Sequence, residues 1–160
     1  MTDNSRDFRN ALGCFATGVT VVTTRKADGS PVGITANSFS SVSLDPPLVL
    51  WCIDKSSDTL ADFDAAGQFA INVLSAEDMN VSNEMAKPGR HSMEDHVGGK
   101  GAKTGLPVVE TALATFECDV ESRHDAGDHI IMVGRVVGFT STTEGDPLLY
   151  FRSKYATAAK

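Results

Sequence analysis

Apolar and polar positions in this chain alternate in short stretches, and helical spacing is rare. Val19 to Thr24 is largely β-branched and predicts a strand. Ala27-Asp28-Gly29-Ser30 predicts a hairpin turn, because Asp-Gly supplies the positive φ such turns need; Pro31 to Thr35 then returns as the partner strand. Leu48 to Ile53, delivered by Asp45-Pro46-Pro47, is short, apolar and rich in β-formers, which predicts a buried strand. Phe69 to Leu74 predicts another. From Ala114 the alternation is strict: Phe116, Cys118 and Val120 share one face, and Thr115, Glu117, Asp119 and Glu121 share the other. That pattern predicts a strand with one wet face. Arg123 to Asp128 is expected to turn the chain, Ile130 to Phe139 to form a further strand, and Leu148 to Phe151 the last.

Helical spacing occurs in three places. Phe8, Leu12 and Phe15 make a short amphipathic helix expected to stop near Gly18. The cluster Asp54 to Thr59 reads as a helix start, near Ser56 or Ser57, with Leu60 and Phe63 on one face and Gly67 as the stop. Ser75 to Asp78 reads as a capping box for a helix carrying Met79, Ser82, Met85 and Ala86. Lys87 to Gly105, with five glycines, is the least structured stretch. About seven strands without regular βαβ alternation predict a single, mainly antiparallel β domain with a few short helices.

Composition narrows the function. A chain of 160 residues suits one domain with a real core. A net charge of −7 argues against a nucleic-acid partner and against anionic membranes. Cys14, Cys52 and Cys118 are odd in number and scattered, which fits reduced thiols in a cytoplasmic setting. The polar N-terminus shows no signal peptide, and no stretch approaches a membrane span. Metal and hydrolase readings fail as well. The pairs His91/His96 and His124/His129 are each five apart, which is poor spacing for two ligands on one helical face. There is no HExxH, no Walker sequence, no G-x-G-x-x-G and no nucleophile elbow.

The chemistry gathers beside the Leu48–Ile53 strand. Thr35, Ser38, Ser40, Ser41 and Ser43 bring five hydroxyls, and Asn37 an amide. Polar groups next to a buried strand need partners, and either solvent or a polar ligand held against the sheet supplies them. The run Gly33-Ile34-Thr35-Ala36-Asn37-Ser38-Phe39, followed by Ser41 to Leu48, resembles the flavin reductase family with the FMN-binding split-barrel fold. So do Gly18 to Thr24, Phe69 to Leu74, Gly127-Asp128-His129 and Pro147 to Tyr150. These proteins are the small reductase components of two-component flavin monooxygenases, and the resemblance spans about residues 8 to 155.

The resemblance implies an antiparallel split β-barrel, a homodimer, a flavin (FMN or FAD), a nicotinamide cofactor (NADH or NADPH), and a flavin-dependent monooxygenase as partner. It places the isoalloxazine ring along Thr35, Ala36, Asn37 and Ser38, with Ser41 as a further hydroxyl toward the ribityl chain or phosphate. Trp51 either lines the flavin pocket or sits in the core. The flavin phosphate is expected at Lys55, Ser56, Ser57 and Thr59, where amides at a helix start favour an anion although Asp54 and Asp58 oppose it. His129 is expected near the nicotinamide, to orient it or to stabilise charge on reduced flavin. Arg90, Lys100 and Lys103 either meet NADH phosphates or are simply solvated. A non-catalytic FMN-binding protein and a split-barrel oxidase acting on a pyridoxal-type phosphate are the rival readings.

Overall fold

The structure, a computed structural model, describes residues 4–158. Twelve strands follow the chain: Thr17–Gly18 (β1), Thr20–Arg25 (β2), Pro31–Ala36 (β3), Ser40–Leu44 (β4), Pro47–Asp54 (β5), Gln68–Val73 (β6), Gly99–Lys100 (β7), Pro107–Val108 (β8), Ala114–Ala126 (β9), His129–Ser141 (β10), Leu149–Phe151 (β11) and Lys154–Ala156 (β12). The helices are Asn4–Leu12 (α1), Leu60–Ala65 (α2) and Met79–Met85 (α3). Seven strands form one antiparallel sheet in the order β3-β2-β6-β9-β10-β5-β4, and β1, β11 and β12 form a small second sheet.

The large sheet curls around a core of Val22, Val49, Trp51, Ile53, Phe63, Phe69, Ile71, Cys118 and Met132. Strands from both halves of the sheet contribute to it. The two halves also meet at a side-chain stitch. The Ser38 hydroxyl, just past β3, accepts the Cys52 N–H at 2.8 Å and lies 3.3 Å from the Cys52 carbonyl on β5. The expected mainly antiparallel β architecture is present.

Several expectations change. β4 is a strand, where the sequence showed only a polar block. Helix α1 stops at Gly13 rather than near Gly18, and Phe8, Leu12 and Phe15 stay exposed because no other part of the described residues covers them. α2 starts at Leu60, later than Ser56 or Ser57. β9 runs on to Ala126, so the turn is only Gly127-Asp128, with Gly127 at φ 64°. A two-residue hairpin turn with glycine first has this geometry. The wet face of β9 begins only at Asp119: Glu117 is buried because the segment around Lys103 and Thr104 folds over it, and Thr115 is buried beside Asn72, donating its hydroxyl to Asn72 Oδ1 at 3.2 Å. The Ser75–Asp78 capping box is present, Asp78 accepting from both the N–H and the hydroxyl of Ser75 at 2.8 Å.

Candidate functional site

β3 is an edge strand, and the two halves of its outer edge have different fates. Over residues 31–33 the edge is covered by the stretch 91–93. Gly33 N–H donates to the His91 carbonyl at 2.9 Å, and Met93 N–H donates to the Pro31 carbonyl at 3.1 Å. Met93 is fully buried against Gly33, where any Cβ would meet its Cγ and Sδ at 2.8 Å. In an antiparallel ladder, residues two apart turn their peptide groups to the same side. Gly33 bonds outward, so Thr35 also presents its N–H and C=O outward. No backbone or side-chain group among the described residues meets them.

This open edge borders two adjoining clefts of about 230 and 310 Å³ that share Thr35 and Ala86. The first is lined by Val19, Ala36, Asn37, Tyr150 and Tyr155. The second is lined by Ile34, Asp54, Ser56, Ser57, Asp58, Met85, Pro88 and His91. The Thr35 hydroxyl is not free, since it donates to the Ser82 carbonyl at 2.7 Å. Ser82 Oγ in turn meets Tyr155 Oη at 2.7 Å, and Tyr155 stands edge-on to Tyr150. The β11–β12 hairpin thereby becomes an aromatic wall facing the Thr35 peptide. Asn37 is exposed at the end of this wall, with no partner among the described residues.

The predicted site residues divide. Thr35, Ala36, Asn37, Ser56 and Ser57 line the clefts. Ser38 is used in the stitch to Cys52, which leaves its hydroxyl little capacity for a ligand. Ser41 lines a different, apolar groove. Trp51, expected either at the flavin pocket or in the core, is fully buried in the core, edge-on to Phe63 and Phe69 at 5.0 and 5.9 Å. Thr59 is buried too, its hydroxyl 2.9 Å from that of Ser57. Lys55 turns away from the clefts, donating to the Gly127 carbonyl and pairing with Asp125. Asp54 accepts from the N–H and hydroxyl of Ser56, both at 2.7 Å. The Ser56 hydroxyl, and then its N–H, hold the Asp54 carboxyl below the usual carboxylate range. Lys103 lines the apolar groove instead of the clefts.

The long β9–β10 hairpin delivers His129. Its tip is pinned to β5, Lys55 N–H donating to the Asp128 carbonyl at 2.9 Å, so His129 lies opposite Asp54 at the cleft rim. Its Nδ1 meets Asp128 at 2.7 Å, and Nε2 has no protein partner among the described residues. The ring is thus oriented with one nitrogen left for a ligand. His91, Tyr150 and Tyr155 complete the site. Sequence reasoning gave none of them a role, because each is brought in from a distant segment. Among the described residues, no group of three His, Cys, Asp or Glu side chains is placed to hold a metal ion. Among the described residues, no helix is long and apolar enough to cross a membrane.

A family model described as a flavin reductase like domain matches residues 12–159. The chain belongs to the flavin reductase family. It is 49% identical over 148 residues to the FMN reductase (NADH) SmoA of Agrobacterium fabrum, covering 92% of this chain and 83% of that one. It is 46% identical to the reductase component of the flavin-dependent trigonelline monooxygenase of Acinetobacter baylyi, covering 97% of this chain but only 49% of that longer one. Among solved structures, the flavin reductase PheA2 superposes with TM-score 0.87 at 41% identity, over the whole of both chains. The NADH:FAD oxidoreductase SgcE6 of Streptomyces globisporus, solved with NAD and FAD fragments, gives TM-score 0.89 at 34% identity, covering 98% of this chain and 93% of that one. The open peptide edge, the aromatic wall and the free Asn37 of this flavin reductase suit a flat heteroaromatic ring with donors and acceptors on its rim.

Proposed function

We propose that this flavin reductase takes a hydride from NADH or NADPH onto FMN or FAD held along Thr35, Ala36 and Asn37, and releases the reduced flavin to a flavin-dependent monooxygenase. The observation that carries this reading is the uncovered Thr35 peptide edge facing Tyr150 and Tyr155. An N–H and a C=O two atoms apart match the alternating acceptors and donor on the pyrimidine side of a flavin. Flavin, when bound, supplies the hydride acceptor; the protein sets distance and angle. That division of labour leaves the chain's own residues to bind and orient the two cofactors. His129 offers Nε2 to the nicotinamide or to charge on the reduced ring. The phosphate end runs toward Ser56 and Ser57. It would compete there with the Asp54 carboxylate for the Ser56 donors. The FMN reductase and the monooxygenase reductase component among the relatives support the cofactor and the partner.

One domain carries these parts, and it works as a homodimer in the cytoplasm. A second copy would cover the apolar groove rimmed by Leu44 and Phe139, which are 95% and 70% exposed. Its three cysteines are free thiols, Cys118 pushed up to about 12 by burial, as suits a reducing compartment. The test is twofold. NADH oxidation must depend on added flavin, which separates a reductase from a flavin store or a pyridoxal-phosphate oxidase. Asn37→Ala should weaken FMN about fivefold to tenfold, the worth of one hydrogen bond. If Val136→Ala in the apolar groove weakens FMN instead, the ring lies there and the placement is wrong.

A further inference from the structure

His91 is nine-tenths buried, although its segment is polar and exposed on both sides. Its two ring nitrogens each face an oxygen: Nδ1 is 3.1 Å from the Gly33 carbonyl, and Nε2 is 2.8 Å from Asp58 Oδ1. The carbonyl can only accept. The carboxylate can also only accept while ionised. The Gly89 N–H, at 2.7 Å from Oδ2, is the chief cause holding the Asp58 carboxyl below the usual range, with the charge on His91 adding to it. Donation from both nitrogens requires both to carry protons, so the geometry is that of an imidazolium. Asp58 thereby ties down Gly89 and His91 together, and His91 ties both to β3.

We propose that His91 is a positioning residue for the flavin: as a bridging imidazolium it fastens Pro88–Met93 against β3, and so sets the cleft wall and the length of sheet edge left open at Thr35. This rests on the reading that the flavin ring lies along Thr35–Asn37. Pro88 and His91 line the same cleft as Thr35, and the covered part of the edge ends two residues before it. When pH rises and the ring loses one proton, a lone pair faces an oxygen. The remaining proton stays with the carboxylate, the Gly33 contact is lost, and the wall loosens. The contact is therefore present at acid pH and lost toward alkaline pH.

Other charges near this cleft are few. Asp54 lies on the same wall, Lys87 and Arg90 are exposed on the segment of His91 itself, and Glu84 of α3 is engaged with His96 at 2.8 Å. β3 contributes no charged residue. His96 and His129 are further imidazoles, paired with Glu84 and Asp128, so the response is read as a difference between wild type and variants.

The experiment measures FMN affinity from pH ~5.5 to ~8.5, the range in which imidazole titrates. Variants His91→Phe and Asp58→Asn are compared with wild type, and amide-exchange protection of residues 88–93 is measured on the flavin-free proteins. Wild type should lose about tenfold in affinity toward alkaline pH, the worth of one hydrogen bond. His91→Phe should bind at the weak level throughout, without that component. Asp58→Asn should bind tightly across the range, because an amide can donate to neutral Nε2 while its oxygen still accepts from Gly89. That gain keeps the test decisive if His91→Phe folds poorly. If Asp58→Asn retains the wild-type pH response, or protection of 88–93 is indifferent to pH and to both substitutions, the clamp is overturned. If protection responds but FMN affinity does not, the clamp exists and the placement of flavin beside it fails, which equally overturns the positioning role.

Discussion

Two hollows of similar capacity lie on this molecule, and they are built from opposite materials. The apolar groove, about 510 Å³, runs between β4, β5 and β10. Phe39 stacks on Phe116 at 5.7 Å and Phe116 tilts toward Phe139 at 6.5 Å. Lys103 is the one charged side chain among the described residues of its lining. The paired clefts at the β3 edge hold an open peptide, hydroxyls, an amide and carboxylates. Size alone does not choose between them. The directional groups choose the clefts, since a redox ring must be held at a set distance and angle and apolar contact does not fix either. An exposed Leu44 and Phe139 call instead for a broad apolar partner surface.

The largest expected effect breaks the comparison on the groove side. Leu44→Asp places a charge where a second copy would pack, so a dimer by sedimentation at micromolar concentration should become a monomer. A wild type already monomeric, with full activity, would remove the groove from any dimer contact. On the cleft side, Ser56→Ala with Ser57→Ala should weaken FMN about tenfold to a hundredfold, as expected for one or two hydrogen bonds to a charged group. Riboflavin, which lacks the phosphate, should bind both proteins alike. Equal losses for the two flavins would take the phosphate away from this segment.

Glu117 sharpens the contrast, because its carboxylate supports the groove side alone. It accepts from the Thr104 hydroxyl and from the Thr104 and Lys103 N–H groups, at 2.6 to 3.0 Å. Burial pushes this carboxyl up, but these bonds outweigh burial and hold it below its ordinary value of 4.5. Its stabilising contribution is therefore complete above pH 4.5 and is lost as pH falls further. Glu117→Gln should lower unfolding free energy at neutral pH by about 1.5 kcal/mol and narrow the gap to wild type in acid. FMN affinity should not change; a tenfold loss would mean the two hollows are coupled. The smallest effect concerns His129→Ala, expected to lower kcat with NADH about fivefold while FMN affinity stays within twofold. Unchanged kcat and KM for NADH would leave His129 as a partner of Asp128 only.

Much of this molecule was legible along the chain. The β-branched run of β2, the Pro-flanked apolar run of β5 and the Asp28-Gly29 turn each rest on local forces, namely backbone sterics and period-two burial. The capping box at Ser75 and Asp78 is local as well, with partners three residues apart. The polar stretch from Thr35 to Ser43 was legible as a candidate site, and its first residues border the clefts. Its atoms were assigned differently, however. The hydroxyls of Thr35 and Ser38 are bonded to Ser82 and Cys52, and the peptide of Thr35 is what remains open.

The tertiary structure alone decided those assignments. Alternation along β9 shows which side Glu117 faces, but not that Lys103 and Thr104 will fold over it. The indole of Trp51 fits a pocket wall or a core equally well until Phe63 and Phe69 close upon it. Asp58 and His91 reveal no relation in sequence, because a side chain's partners come from whichever segment the fold lays beside it. Local pattern determined the strands; long-range packing determined which of their polar groups were used up, and it left the Thr35 peptide open at the edge of β3.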